Sequence, residues 1–232
     1  PSVYRHAPAS LQGLDIPLIY IEQEIGHIHQ VLTHGAIPTT TGTLMQISLE
    51  QAQLEVGLGI PFLETSFGFY GFLLTDIWWK AVWEFVWRND ITLTYPDQAL
   101  PQPQRMNDGF IMARLCSQSS LCPSQLLACI RCRLFLEAIT LADITGGSGR
   151  RITDDVASLQ PITSNPSRWT WPREQPSCQH YLSAWRKGLQ LICSPNFFLA
   201  RRDRLGTWIR EPHKWWDWFH DPFHDELYQR AP

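Results

Sequence analysis

Arginine, lysine and tryptophan residues are interspersed in the last third of the chain. Such a mixture is typical of surfaces that contact unpaired nucleic acid. Between residues 168 and 214, nine basic side chains stand against three acidic ones. Basic groups neutralise phosphates, and indole rings stack on unpaired bases at about 1–3 kcal/mol per base. The candidate binding residues are Arg168, Arg173, Arg186, Lys187, Arg201, Arg202, Arg204, Arg210, Lys214, Trp185 and Trp208. A tryptophan-rich core with a solvated basic rim would give the same pattern, so both interpretations stay open.

The cysteines are a second set of residues that could do chemistry. Cys129 and Cys132 form a Cys-x-x-Cys pair, which with Cys116 and Cys122 could offer four thiolates to zinc. The pair lies inside a helical core pattern and not on a loop, and the other two cysteines lack a matching spacing. Buried, reduced thiols are therefore the favoured interpretation, and neither a metal ion nor a cofactor is predicted for this chain.

A glycine-rich run at 146–149 is followed directly by Arg150 and Arg151. Such a run could cradle a phosphate, because glycines let backbone N–H groups converge on an anion. No Lys-Ser/Thr pair follows, so the run is not a P-loop. A hairpin turn between strands at 139–145 and 150–153 is the favoured interpretation.

Asp154 and Asp155 are the one pair of adjacent aspartates in the chain. Paired aspartates can hold two divalent ions for phosphoryl transfer. This pair lies in a polar segment flanked by prolines, which favours a solvated loop over a metal site. No catalytic residue is predicted.

The elements that position these residues are predicted to be mainly α-helices with short β hairpins. Apolar side chains recur at helical spacing along most of the first 138 residues, and the pattern then changes to alternation. The Thr75-Asp76 pair is a helix N-cap signal, and Pro123 suits a first helical turn. Helices are predicted at 17–35, 43–56, 76–88, 108–116, 123–138 and 177–192, with short strands at 91–95 and in the tryptophan-rich tail.

Charge and proline divide the chain into blocks. Residues 1–100 carry three basic and ten acidic side chains, the opposite of the balance at 168–214. The segment 154–176 is rich in proline, serine and threonine, which disfavours helix and central strand. The predicted organisation is a helical block at 1–153 that ends in a β hairpin, a proline-rich linker at 154–176, and a basic, tryptophan-rich block at 177–232.

Composition excludes several protein classes. The chain has 44% hydrophobic and 18% charged residues and a net charge of -3, so it is neither disordered nor globally basic. The densest apolar run, 67–87, contains Asp76, Lys80 and Glu84, so no membrane span is predicted. The chain opens without methionine or a leader-like segment, which favours an internal piece of a longer product in the cytoplasm or nucleus.

A series of short motifs runs along the chain in order. The series begins at 8–14 and the helix that ends near His27, and its later motifs are LTDIW (74–78), WEF (83–85), RMNDGFIM (105–112), CRLFLEAITLADI (132–144), WP (171–172), WR (185–186), LG (205–206) and WWDW (215–218). This series resembles the region that follows the polymerase palm in non-LTR-type retroelement reverse transcriptases of microbial eukaryotes, and the resemblance continues nearly to the end of the chain.

The resemblance implies that residues 1–35 complete a thumb-like helical region and that an upstream polymerase domain belongs to the same polypeptide. It also implies RNA or DNA as a partner. The Tyr-x-Asp-Asp hairpin that holds the two metal ions of such polymerases is absent here, so the isolated chain is expected to be inactive, and magnesium would bind to the parent polymerase. A structural or protein-interaction module without nucleic-acid binding is the alternative. The oligomeric state is left open.

Overall fold

The fold is mainly α-helical, as the sequence predicts. The computed structural model describes residues 5–12, 14, 16–35, 37–93, 100–160, 171, 176, 179–209, 218–221 and 226–229. The helices in these ranges are α1 (Ile19–His34), α2 (Thr40–Val56), α3 (Phe67–Tyr70), α4 (Ile77–Arg88), α5 (Ile111–Cys116), α6 (Pro123–Phe135), α7 (Leu141–Ile144), α8 (Asp154–Ala157) and α9 (Gln179–Ile192). Two strands, β1 (Trp218–Asp221) and β2 (Glu226–Gln229), pair antiparallel.

Local capping explains where the long helices begin and end. The Thr39 side chain accepts a hydrogen bond from the Gly42 N–H at the start of α2, and Gly57 ends that helix in the left-handed conformation at φ 70°. The Asp76 carboxylate accepts from the Trp79 N–H at 2.9 Å, so α4 begins where the sequence predicts. Pro123 occupies the first turn of α6, where its missing N–H costs nothing.

Helix α4 forms one half of the core with its tryptophans. Trp79 and Trp83 are fully buried, and the Phe62 ring packs edge-on against both of them. Each indole has a partner for its polar atom: Trp79 Nε1 donates to Ser48 Oγ at 2.8 Å, and Trp83 Nε1 donates to the Thr65 carbonyl at 3.0 Å. Burial of these rings therefore leaves no indole N–H unsatisfied.

Helix α9 forms the other half of the core by packing along α6. Gly188 allows the close approach, because a Cβ there would lie 3.1 Å from the Leu115 side chain and 3.2 Å from Cys129 Sγ. Trp185 is fully buried and donates from Nε1 to the Val156 carbonyl at 2.9 Å. Helix α8, at the start of the segment predicted as a linker, thus packs against the core through Val156.

The remaining domain calls stay predictions. Residues 161–170, 172–175 and 177–178 of the predicted linker and its border lie outside the described residues. The same holds for residues 94–95 of the strand predicted at 91–95, while residues 91–93 form no strand.

The strand predicted at 139–145 is wrong, because residues Leu141–Ile144 form helix α7. The Asp143 carboxylate explains the difference: it accepts hydrogen bonds from the N–H groups of Ile139 and Thr140 at 2.8 and 2.7 Å, which closes a helical turn. Only one antiparallel bridge, between Thr145 and Ile152, remains of the predicted hairpin. Local capping here outweighs an alternating pattern of side chains.

Arg133 joins α6 to the C-terminal end of α2 from inside the core. Its guanidinium is fully buried and donates to the carbonyls of Leu54, Glu55 and Ala138, the last two at 3.0 Å. Burial lowers the pKa of Arg133 to about 10, so the group stays charged at neutral pH. Three backbone carbonyls in the protein interior therefore depend on one side chain for their hydrogen bonds.

Replacing Arg133 with methionine is expected to lower the free energy of unfolding by about 3 kcal/mol, because the buried carbonyls lose their donors. The measurement is equilibrium unfolding in urea. Arg131→Met is the matched control: Arg131 lies on the same helix with an exposed guanidinium beside Tyr181, and its loss should cost no more than about 0.5 kcal/mol. Equal losses in the two variants would contradict the role given to Arg133.

Candidate nucleic-acid interface

A loop at 199–205 carries exposed arginines and is closed at both ends by the same stretch of backbone. The Leu199 N–H donates to the Arg150 carbonyl at 2.8 Å, and the Leu205 N–H donates to the Gly149 carbonyl at 2.9 Å. Gly149 has φ 65°, and a Cβ there would lie 2.8 Å from the Leu205 backbone and side chain. Glycine is therefore required where the loop closes.

A second set of backbone bonds fixes the chain that follows the loop. The Gly206 N–H donates to the Met106 carbonyl at 2.8 Å, the Met106 N–H donates to the Thr207 carbonyl at 2.9 Å, and the Ile209 N–H donates to the Gln104 carbonyl at 2.8 Å. Three distant segments, 104–106, 149–150 and 199–209, are thereby joined in one place.

Together these segments present a basic-aromatic surface. We give this name to six side chains, all exposed to solvent: Arg150, Arg201, Arg202, Arg204, Phe198 and Trp208. The two rings lie just outside the two ends of the closed loop, and Arg201, Arg202 and Arg204 lie between them along the chain. Cationic groups and open rings are thus combined on neighbouring, hydrogen-bonded segments.

Most of the positive charge on this surface is not neutralised. Asp203 accepts from Arg114 at 3.1 Å and from Arg202 at 3.4 Å, so one carboxylate is shared by two arginines. Within the described ranges, no carboxylate lies within ion-pair distance of Arg150, Arg201 or Arg204. Among the described residues, no acceptor occupies the donors of these three guanidinium groups.

Each ring of the surface packs against an arginine of the chain itself. The Arg105 guanidinium lies 5.0 Å from the Trp208 ring centroid, and that of Arg151 lies 5.7 Å from the centroid of Phe198. Trp208 remains 42% exposed and Phe198 48% exposed. The rings are therefore held in place on one side and open to solvent elsewhere.

The glycine run at 146–149 binds an arginine of the chain through a carbonyl and does not form a phosphate cradle. Arg105 is only 3% exposed, and its Nη1 donates to the Gly147 carbonyl at 2.9 Å while its Nε donates to the Gly206 carbonyl at 2.8 Å. The run thus presents a carbonyl, and not converging N–H groups, to a positive charge. The run therefore forms a turn that binds an internal arginine, but it does not join the two strands that the sequence predicts around it.

The structure divides the predicted binding residues into groups. It brings Arg201, Arg202, Arg204 and Trp208 together on the basic-aromatic surface. Arg186 and Lys187 lie on α9 and are tied to other parts of the chain: Arg186 Nε donates to the Ala157 carbonyl at 3.0 Å, and Lys187 Nζ donates to the Ser120 carbonyl and Gln125 Oε1 at 3.1 Å each. The residues Arg168, Arg173, Arg210 and Lys214 lie outside the described residues.

Base stacking on Trp185 is a wrong prediction, because this ring is fully buried and bonded to the Val156 carbonyl. Arg150 and Phe198 are members of the surface that the sequence analysis did not assign to it. Arg150 follows the glycine turn directly, a position that could have marked it as exposed. Phe198 gives no such local signal, because its position depends on pairing with Arg151.

The cysteine cluster considered for zinc does not assemble. Cys129 and Cys132 are buried on α6, where their thiols lie 3.6 and 3.5 Å from the carbonyls of Ala184 and Tyr181. Burial raises the pKa of Cys116 and of Cys129 to about 12. In the part of the chain that the structure describes, no three His, Cys, Asp or Glu side chains form a possible metal site.

Cys122 differs from these thiols. It is exposed at the N-terminus of α6, and its Sγ lies 3.1 Å from Ser124 Oγ. The hydrogen bond from the Ser124 hydroxyl, together with the backbone N–H of Gln125, lowers the pKa of the Cys122 thiol.

Comparison with protein-family models, with curated proteins and with solved structures finds no match to this chain. Among the helices described, none has the length and apolar character that crossing a membrane requires.

At pH 8, iodoacetamide is expected to alkylate Cys122 at least about tenfold faster than Cys116 or Cys129. A lowered pKa increases the thiolate fraction of Cys122, whereas a pKa near 12 leaves the two buried groups protonated. Peptide mapping by mass spectrometry over a time course gives the three rates. Cys122→Ser should remove the rapidly labelled peptide without changing the labelling rates of Cys116 and Cys129. Fast labelling of Cys129 would show that α6 and α9 do not pack as described.

Proposed function

We propose that this chain contacts nucleic acid through its basic-aromatic surface, as a non-catalytic accessory segment of a retroelement RNA-directed DNA polymerase. The observation that supports binding is the grouping of Arg201 and Arg204, on one closed loop, with Arg150, on the segment that closes it; all three are exposed and without ion-pair partners among the described residues. Guanidinium groups are suited to phosphate, because their planar donors match its oxygens.

Local charge is sufficient for such binding even though the whole chain carries a net charge of -3. Phosphate contacts act over roughly a Debye length, about 8–10 Å at physiological salt, so the distant acidic residues of the N-terminal block are screened. Among the described residues, Asp203 and Asp154 are nearby carboxylates, and each is bound by arginine: Asp203 by Arg114 and Arg202, and Asp154 by Arg151. A polyanion that lies along the loop therefore meets mainly positive potential.

The accessory role rests on the ordered motifs that resemble the downstream region of retroelement reverse transcriptases. In this proposal residues 1–35 adjoin the upstream polymerase domain, which supplies the magnesium-binding aspartates, and the protein acts in the cytoplasm or nucleus. The arrangement at Asp154 supports a structural role for the chain's own aspartate pair. Asp154 binds Arg151 at 2.6 Å, and both aspartates lie in the first turn of α8, where carboxylates stabilise a helix N-terminus.

Binding is tested by filter binding of a single-stranded RNA across a salt series. We expect the logarithm of the affinity to fall linearly with the logarithm of salt concentration, because phosphate contacts release counterions. The double variant Arg150→Gln/Arg201→Gln should bind about tenfold more weakly at low salt and reduce the slope by about 1.4, at about 0.7 for each contact with a single strand.

Arg88→Gln/Arg131→Gln is the control, because it removes two exposed guanidinium groups away from the basic-aromatic surface. It should leave both affinity and slope unchanged. Salt-independent binding, no binding, or equal losses in the two double variants would contradict the proposed function.

A second candidate function, docking to a protein, is favoured by an exposed apolar stripe on α1. Leu18, directly before the helix, and Ile21, Ile25 and Leu32 within it recur at intervals of three, four and seven residues, and all four are exposed. The adjacent face of the helix packs into the fold through Glu24 and Val31. An apolar stripe of this spacing is typical of helices that pack against another helix. In this alternative the upstream polymerase domain covers the stripe, and the chain joins that domain to others without binding nucleic acid.

Replacing Ile25 and Leu32 with aspartate is expected to weaken binding to the polymerase part of the parent polypeptide at least tenfold, because charges would be buried against an apolar partner. Co-purification and calorimetry measure the loss. Ile47→Asp is the matched control, since Ile47 is similarly exposed but lies on α2. Unchanged binding in the double variant would remove the apolar stripe from the interface.

A further inference from the structure

We infer that the basic-aromatic surface is selective for single strands, with one unpaired base stacked on Phe198 and another on Trp208. The inference rests on the proposed function and specifies its ligand class. RNA and DNA strands share the chemistry that it requires, namely phosphates and open base faces.

The two rings are supported in the way that stacking platforms require. Arg151, which packs against Phe198, is itself bound to Asp154 at 2.6 Å. Arg105, which packs against Trp208, is fixed by the carbonyls of Gly147 and Gly206. Each guanidinium is thus immobilised by oxygen atoms of the chain, and it immobilises the ring in turn. A ring that is already ordered loses little entropy when a base stacks on it.

The exposed parts of the rings are available for a ligand. One side of each ring meets the guanidinium, and about half of each side chain remains accessible. A base on the open side would complete a stack of guanidinium, ring and base. The positive charge behind the ring adds a favourable interaction for the electron-rich ligand.

Stacking between neighbouring base pairs makes the base faces of a duplex inaccessible to Phe198 and Trp208. In a double helix each base face is covered by its neighbours, so a ring reaches it only by unstacking a base step, which costs several kcal/mol. Phosphates, by contrast, are equally available in single strands and duplexes. Selectivity must therefore come from Phe198 and Trp208, while the arginines supply affinity for both forms.

The position of the arginines also supports a single strand as the ligand. Arg201, Arg202 and Arg204 lie on the chain between Phe198 and Trp208, and Arg150 is bonded through its carbonyl to the base of their loop. A strand whose bases rest on the two rings would pass its intervening phosphates over the arginines. Site sizes of about 4–16 nucleotides are common for surfaces of this kind.

The test compares labelled RNA and DNA strands of about 12 nucleotides with the corresponding duplexes by fluorescence anisotropy at fixed salt. Wild-type protein should bind a single strand at least about tenfold more tightly than the duplex. Phe198→Leu should weaken single-strand binding about fivefold or more and leave duplex binding unchanged, because leucine retains apolar contact but offers no ring face. Phe198→Leu/Trp208→Leu should remove the preference for single strands.

Trp87→Leu is the matched control, because Trp87 is a ring of similar exposure, 43%, on α4 beside Phe67. It should change neither affinity. Thermal unfolding checks that the variants fold, and Phe198→Leu alone is decisive if loss of Trp208 from above Arg105 disturbs the structure. Equal binding of strand and duplex, unaffected by Phe198→Leu, would overturn single-strand selectivity and leave the proposed function standing. Failure to bind either ligand would overturn both.

Discussion

The arrangement of the candidate interface depends on the buried guanidinium of Arg105. This one group donates to carbonyls of the glycine turn at 147 and of residue 206, and it lies under the Trp208 ring. A cation enclosed by the chain is stable only when its donors are satisfied, so the carbonyls must converge on it. Their convergence joins the glycine turn, next to the residues that close the loop at 199–205, to the residue that directly follows the loop. The positions of the exposed arginines therefore depend on the buried Arg105.

The helices could be predicted from the sequence because their signals are local. The Asp76 cap and the helical spacing of apolar side chains predict the bounds of α4, and Pro123 predicts the start of α6. The predicted end of α6 is too late, since Glu137 adopts a left-handed conformation at φ 55° and the turn of Asp143 follows. That turn also replaced a predicted strand with α7. A single carboxylate with two N–H partners is a stronger constraint than alternation over seven residues.

The interface could be predicted only in part, because its bonds join residues far apart in the chain. Arg105 and Gly206 are separated by 101 positions, and no spacing rule relates them. The arginines at 201–204 were recognisable by type alone. Trp185 shows the limit of that approach: the same indole can stack on a base or fill a core, and its helical spacing with Leu189 favoured the core. Whether Trp185 is buried depends on which residues of α6 pack against α9.

One acidic residue beside the basic-aromatic surface, Asp203, explains why the loop at 199–205 keeps a definite position. Asp203 binds Arg114 on α5 and Arg202 on the loop, so the carboxylate connects the loop to a helix that is buried at Ile111 and Leu115. This ion pair partly neutralises Arg202. It also holds the middle of the loop, so Arg201 and Arg204 project from backbone that is anchored at both ends and in the middle. Charge density and rigidity are therefore balanced at this position, and a ligand of the proposed kind would meet an ordered set of donors and rings.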